Sequence, residues 1–507
     1  MRCLVTGATG YVGGRLVPRL LDAGHQVRCV TRSARRLRDV PWAGDVEIVE
    51  ADVTRDDLSA AMADIDVGYY LIHSLGAADF EELDRLGAQR LSAAAAASAG
   101  VARLVYLGGP DPAEDGEPGS AAAGRATGSA AAGSAAGSAH LRSRTEVARI
   151  LLDAEVPTIV LRAAVIIGSG SASFEMLRHL TERLPVMVTP RWVRNRIQPI
   201  AIRDVLRYLV ACADPAVFPA GLNRGFDIGG PDVLTYATMM GRYASVAQLP
   251  RRILLPVRAL TPALSAHWVG LVTPVPGRIA KPLVASLIHE AVCREKDIAA
   301  YLPDPPGGLT RFDEAVRLAL RKIRDADVET RWANAAVAGA PSDPLPTDPA
   351  WSGGTVYTDE RSAAVSAPPE RLWRVIESIG GQRGWYSFPL AWWIRGWLDR
   401  LVGGVGLRRG RRDPDRLLVG EALDFWRVEE VTPGRLLRLR AEMKLPGRAW
   451  LEMRADPVEG GGSRYSQRAV FLPRGLAGHA YWASVWPFHA AVFGSMARTI
   501  ARTAERS

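Results

Sequence analysis

Three glycines spaced Gly7-x-x-Gly10-x-x-Gly13, with Tyr11 and Val12 in the same turn, form the first chemically pointed feature of the sequence. Glycine at such positions lets backbone approach a pyrophosphate closely, and a helix beginning there aims free N–H groups at the anion. Downstream stands Arg32, followed by Ser33, Arg35 and Arg36. An acidic residue at that point would accept from a ribose 2′-hydroxyl, whereas a guanidinium suits a 2′-phosphate. The pattern predicts a dinucleotide site preferring NADP(H) over NAD(H). His140 and Arg144, in "GSAAGSAHLRSRTEVARILL", are a second candidate pair. The imidazole titrates near neutrality and can exchange a proton. The guanidinium can bond a ribose or phosphate, and its fixed charge would disfavour an imidazolium beside it. Two roles stay open for His140: acid/base work, or cover for a helix entrance that the capping-box pattern Ser143-x-x-Glu146 would begin.

The elements that must carry these residues are legible as alternation. Cys3–Thr6 reads as a strand, Gly7–Gly13 as the turn, and the next stretch as a helix stopped by Gly24, with Pro18 predicting a kink or an early 3₁₀ turn. Further strands run from Val27 to Thr31, just before Arg32, and end at Asp52-Val53 and at His73-Ser74, and two more follow in "ARLVYLGG" and "PTIVLRAAVIIG". "DFEELDRLGAQRLSAAAAASAG" reads as a long helix between them. Strands and helices in turn predict an α/β, Rossmann-type doubly wound parallel sheet, with ligand at the carboxyl ends of the strands, where Asp52, Val53, His73 and Ser74 fall.

These residues resemble the atypical or extended short-chain dehydrogenase/reductases, especially the NmrA-like branch, which includes the NADPH-holding accessory subunit of respiratory complex I. The resemblance covers about the first 330 residues and is carried by "TGATGYVG", "VTR", "ADV", "YLGG", "LRAAVIIGSGS" and "QPIAIRDVLRYLV". It implies cofactor contacts at Gly7, Thr9, Gly10, Gly13, Arg32, Asp52 and Val53, and places Ser171, Phe174, Trp192 and Gln198 toward a substrate. The chain departs from the family's chemistry. Active members use a Ser after the fifth strand and Tyr-x-x-x-Lys on the next helix; here Gly108-Gly109 and His140-Leu-Arg-Ser-Arg144 stand instead.

Composition sets the remaining limits. The net charge is +9, yet only four of the 63 basic residues are lysines, a skew that looks like coding bias and not a nucleic-acid surface. Cys3, Cys29, Cys212 and Cys293 are scattered, without zinc-site spacing, so neither a metal nor a disulfide framework is expected. The N-terminus runs straight into a strand, which predicts no signal peptide and a cytoplasmic protein.

The domains read as 1–332 for the nucleotide fold with its substrate lobe, interrupted by a disordered small-residue insertion at 111–139, then a linker at 333–354 and a second domain at 355–507. In the last, a strand, a Pro-started helix, several alternating strands and a closing apolar helix (Gly475 to Ala497 carries no charge) follow in order. That order resembles the START/polyketide-cyclase helix-grip fold, α+β, and implies a cavity for an apolar small molecule: a quinone, lipid or polyketide-like compound. Pairing with a reductase-like domain resembles a bacterial two-domain group whose C-terminal part has no assigned function. "WWIRGWLDRLVGGVGLRRGRR" mixes tryptophans with Arg408, Arg409, Arg411 and Arg412, either as cavity lining beside a solvated loop or as a peripheral contact with the inner face of the cell membrane. The expected activity is hydride transfer to an apolar carbonyl, quinone or enone; the rivals are a non-catalytic NADP(H) sensor or assembly factor, and a membrane-surface lipid binder.

Overall fold

The structure, a computed structural model, describes all residues except 39, 75, 76, 78, 99, 111–137, 257–272, 274, 276, 288, 330–354, 381–383, 387–415, 459, 460 and 507. The expected insertion (but for its last two residues), the linker and the tryptophan/arginine segment lie outside the described residues. The chain divides into two compact units, Met1–Gly353 and Gly354–Ser507.

Apolar runs in the first unit form short strands whose central members are buried on both faces, as a parallel sheet between two helical layers demands, while the two edge strands are partly exposed. The strands are β1 (Arg2–Thr6), β2 (Gln26–Thr31), β3 (Glu47–Glu50), β4 (Val67–Tyr70), β5 (Arg103–Gly108), β6 (Thr158–Ala163) and β7 (Arg224–Ile228). They lie in the order β7-β6-β5-β4-β1-β2-β3, with every pairing parallel. The order reverses beside β1, and that switch point is where such sheets bind ligands. Helix α1 (Tyr11–Asp22) buries Leu16, Val17 and Leu20 in a cluster with Cys3, Val5 and Cys29. On the other face α2 (Phe80–Ala96) and α3 (Ala139–Leu152) bury Ala88, Leu91, Val147 and Leu151 against Leu4, Tyr70 and Leu104. α1 continues as an α-helix through Pro18, without the early 3₁₀ turn that was one of the two expectations. β4 is also shorter than expected: it ends at Tyr70, so His73 and Ser74 lie in the loop beyond it.

A lobe beyond β6 contains α4 (Ala172–Arg183) and further helices around their own core of Phe174, Leu177, Met239 and Tyr243. Burial pushes the thiols of Cys3, Cys29 and Cys212 up to about 12, which makes them poor nucleophiles at neutral pH.

The second unit is a six-stranded antiparallel sheet with a helix after its first strand, at Pro369–Glu377, and a terminal helix, at Gly475–Arg506. Alternate residues of the long strands Gly447–Pro457 and Ser463–Pro473, among them Leu451, Met453, Tyr465 and Ala469, face one way into a core completed by Phe493, Met496 and Ile500 of the terminal helix. Among the described residues no helix is long and apolar enough to cross a membrane. Leu451 is fully buried. Leu451→Ala is therefore expected to lower the unfolding free energy by about 2–5 kcal/mol in chemical denaturation, the cost of a large-to-small core change.

Candidate functional site

A cavity of about 760 Å³ opens at the carboxyl ends of β1, β2, β3 and β4. Its first wall is the turn between β1 and α1. Gly7 has φ +75°, a left-handed conformation, and a Cβ there would come within 2.7 Å of the Leu71 carbonyl oxygen. A Cβ at Gly13 would lie 2.3 Å from the Gly7 carbonyl oxygen, so the third glycine lets α1 pack onto the turn. Gly10 differs: its nearest obstacle is 3.1 Å away, and it is the residue before α1, with no side chain capping the helix. Its lack of a side chain keeps the uncapped N–H groups of the first turn approachable. This cradle fits a pyrophosphate.

The expected cofactor residues Gly7, Thr9, Gly10, Tyr11, Val12, Gly13, Arg32, Asp52, Val53, His73 and Ser74 all line this one cavity, with Arg36, Arg55 and Arg144. Ser33 does not; its N–H is held by Thr31 Oγ1 at 3.3 Å. Arg32 and Arg36 are exposed and form no ion pair among the described residues. Asp52 accepts from the Thr54 N–H at 2.9 Å and its hydroxyl at 2.7 Å. Burial works to raise its pKa, but these bonds, with Arg32 and Arg55, outweigh it and hold the carboxyl below the usual range.

The His140 side is arranged differently from the sequence expectation. Helix α3 starts earlier than the capping-box pattern implies. Ser138 is the N-cap, its hydroxyl accepting from Leu141 N at 3.3 Å, while Ser143 is buried one turn in and donates to Asp84 Oδ2 at 3.2 Å. Arg144 reaches the cavity, donating to the Leu107 carbonyl at 2.7 Å and lying over the Tyr106 ring at 5.4 Å. His140 does not line the cavity. It stands behind His73, Nδ1 to Nε2 at 3.0 Å, and His73 Nδ1 in turn meets Asp84 Oδ2 at 2.7 Å. Burial first, then His73 and the Arg144 guanidinium, push the His140 imidazole down to about 2. It is neutral at physiological pH and holds no reserve proton.

None of the four residues expected toward the substrate lines the cavity. The Ser171 hydroxyl donates to the Ile166 carbonyl at 2.8 Å before α4. Phe174 is fully buried against Tyr243, and Trp192 packs on Tyr236. Gln198 is a clamp, donating to the Gly230 carbonyl at 2.8 Å and accepting from Cys293 N at 3.1 Å. All four hold the lobe together. The residue missed in the sequence is Asp84, which looks like one more acid of an exposed helix in "FEELDR" but is 2% exposed.

Residues 7–153 match a family model described as NAD(P)H-binding. Residues 351–496 match one described as a protein of unknown function, DUF2867. The first unit thus carries an NAD(P)-binding Rossmann domain. The 3 beta-hydroxysteroid dehydrogenase/Delta 5-->4-isomerase of Mycobacterium tuberculosis, in strains CDC 1551 / Oshkosh and ATCC 25618 / H37Rv, is 35% identical over 116 residues, which is 21% of this chain and 30% of that protein. The chain therefore matches under a third of these curated relatives' length. Among solved structures, the NAD-dependent NDP-hexosamine 5,6-dehydratase TunA of tunicamycin biosynthesis is 16% identical, with TM-score 0.44 over 63% of this chain and 96% of its own. A nucleoside-diphosphate-sugar epimerase from Staphylococcus aureus is 14% identical, with TM-score 0.46 over 62% of this chain and 100% of its own.

Two outcomes follow from this geometry. Gly10→Ala, whose Cβ asks the Gly7 carbonyl to give by only a few tenths of an ångström, is expected to destabilise less than Gly13→Ala yet weaken NADPH binding at least about tenfold in a fluorescence titration, a loss of roughly 1.4 kcal/mol. Gly13→Ala is expected to lower the melting temperature, since its Cβ meets backbone. Because the folded His140 pKa lies below the unfolded value near 6.5, the unfolded chain binds more protons between these limits. Stability from the neutral ring is then complete above pH 6.5 and lost as pH falls toward about 2. His140→Gln should accordingly lose less stability than wild type between pH 6.5 and 4.

Proposed function

We propose that the first unit binds NADP(H) in preference to NAD(H) and transfers hydride between the nicotinamide and an apolar carbonyl, quinone or enone, or the corresponding alcohol, without a Ser-Tyr-Lys triad. The observation that carries this reading is the single cavity in which the Gly7–Gly13 cradle, Arg32, Arg36 and Arg144 converge. Gly7, Gly10 and Gly13 would hold the pyrophosphate, Arg32 and Arg36 the 2′-phosphate, Asp52 and Val53 the adenosine, and Arg144 the nicotinamide ribose or a phosphate. The bound cofactor supplies the hydride; the chain supplies orientation and the apolar side chains of Leu71, Leu107 and Ile166. The mycobacterial relative is named for a steroid alcohol, which supports an apolar substrate and makes the 3β-hydroxysteroid dehydroepiandrosterone a suitable probe. The second unit, on this reading, is START-like and holds an apolar ligand; its strand, helix, antiparallel sheet and terminal helix follow one another in the helix-grip order.

A rival reading, a non-catalytic NADP(H) sensor or assembly factor, is favoured by Gly108 and Gly109 where a catalytic hydroxyl would stand and by the neutral His140. The two separate on turnover. NADPH oxidation that depends on an added quinone or enone supports the enzyme; tight NADPH binding with no turnover across such a panel leaves only the sensor.

Replacing Arg32 and Arg36 together by alanine is expected to weaken NADPH binding about 10–100-fold, the worth of one or two charge-assisted hydrogen bonds, and to leave NADH binding nearly unchanged. Equal losses for the two nucleotides in isothermal titration would contradict the 2′-phosphate assignment.

A further inference from the structure

The terminal helix of the second unit carries no Asp, Glu, Lys or Arg from Gly475 to Ala497, yet only one of its sides is covered. Phe493, Met496 and Ala497 are buried in the core under the sheet, and Trp482 is buried with them. Leu476, Ala480, Ala483, Pro487 and Ala491 recur every third or fourth residue, and all are exposed. That spacing lines them up as one stripe along the opposite side of the helix. Two aromatic side chains border the stripe. Phe488 is 70% exposed, the highest value for a large hydrophobic among the described residues, and Trp486 is 45% exposed. Trp486 is held in place from below. Its ring packs 5.7 Å from Trp482, which stacks on Tyr357 at 5.1 Å and on Phe471 at 5.7 Å. A column of rings thus runs from the sheet to the surface and ends there on an indole. A helix on the surface of a water-soluble domain ordinarily turns a polar face outward. This one does not.

Cations stand at both ends of the stripe. Arg474 directly precedes the helix, and Arg498 and Arg502 follow the stripe on the helix itself; all three are exposed. Arg474 and Arg498 form no ion pair among the described residues. The first acid on the helix is Glu505, and its carboxylate already accepts the Ser366 N–H at 3.1 Å and hydroxyl at 3.0 Å. We propose that this stripe docks the protein on an anionic membrane, with the helix lying along the bilayer surface. Leu476, Trp486 and Phe488 enter the headgroup region and the upper acyl chains, and Arg474, Arg498 and Arg502 meet lipid phosphates. Burying the three apolar side chains is favourable in proportion to their area, an indole suits the headgroup level, and each arginine near an anionic surface adds about a fivefold gain in binding. Pro487 limits the depth. It cannot donate to the Ala483 carbonyl, and a carbonyl without a donor is too costly in hydrocarbon, so that turn stays where water reaches it. The docking does not depend on the nucleotide chemistry of the first unit.

Other occupants fit this surface less well. A second copy of the helix, laid parallel or antiparallel, would set arginine against arginine at both ends. A nucleic acid needs cations along its length, and the stripe has them only at its ends. A protein partner needs directed hydrogen bonds, and the hydroxyl of Ser484, beside the stripe, is spent on the Tyr481 carbonyl at 2.7 Å. A lipid surface asks for apolar side chains in the middle and cations at the edge, which is the arrangement present.

Flotation of the full chain with vesicles tests the surface. Wild type should float with vesicles of phosphatidylglycerol and phosphatidylcholine, and bind pure phosphatidylcholine about 10–100-fold more weakly, the combined worth of the three arginines. Replacing Arg474, Arg498 and Arg502 together by glutamine should cost about the same factor on the anionic vesicles and leave binding to phosphatidylcholine unchanged. Replacing Trp486 and Phe488 together by serine should weaken binding to both kinds of vesicle at least about tenfold. Phe488→Ser alone, at the more exposed position, should retain the wild-type melting temperature and still weaken binding, which keeps the test decisive if the double variant is unstable. A wild type that stays behind when the anionic vesicles float would overturn the proposal. Flotation undiminished in Phe488→Ser would overturn it too, and would leave membrane contact to the segment with Arg408, Arg409, Arg411 and Arg412. So would a dimer, seen by light scattering without vesicles, that Phe488→Ser disperses, since the stripe would then be filled by a second copy.

Discussion

The Gly7 carbonyl oxygen is the point on which the nucleotide site depends. It accepts the Gly10 N–H at 2.8 Å, closing the turn, and a Cβ on Gly13 would lie 2.3 Å from it. That contact sets how closely α1 can lie on β1. It therefore fixes where the uncapped start of the helix points, which is into the cavity at the switch point of the sheet. With an anion held there, the ends of β2 and β3 come within reach of the rest of a dinucleotide, and Arg32, Arg36 and Asp52 are the side chains they present.

At the other end of the cavity the organising group is a buried carboxylate. Asp84 ties the loop after β4 to α2 and, through Ser143 and His73, to α3. An unpaired charge in that position would cost several kcal/mol, so the three donors are a condition for the acid being there at all. One of these bonds puts the proton of neutral His73 on Nδ1, since a carboxylate only accepts.

Much of the first unit was legible because parallel strands buried on both faces leave continuous apolar runs, and because the glycine turn fell between a strand and a helix. Periodicity reports burial but not partnership. His73 and His140 are 67 residues apart, and no pattern along the chain pairs them. Asp84 sits among Glu81, Glu82 and Arg85, where an acid usually means a solvated face. Ser171, Phe174, Trp192 and Gln198, carried over by resemblance, do not line the nucleotide cavity; their contacts are with the Ile166 carbonyl, Tyr243, Tyr236, and Gly230 with Cys293, all within the lobe. Ser143 was read as a cap for its spacing to Glu146, but the helix begins five residues sooner at Ser138. In the second unit the order of strands and helices was readable from alternation; what the domain holds was not, since a filled core and a ligand cavity use the same apolar residues.

The most direct test of the central claim is amide hydrogen exchange across Gly7–Gly13 in the full chain, with and without saturating NADPH. The account expects exchange at the start of α1 to slow on addition of NADPH, with smaller protection at Arg32 and at Leu71–Ser74. Unchanged exchange throughout these segments would contradict it.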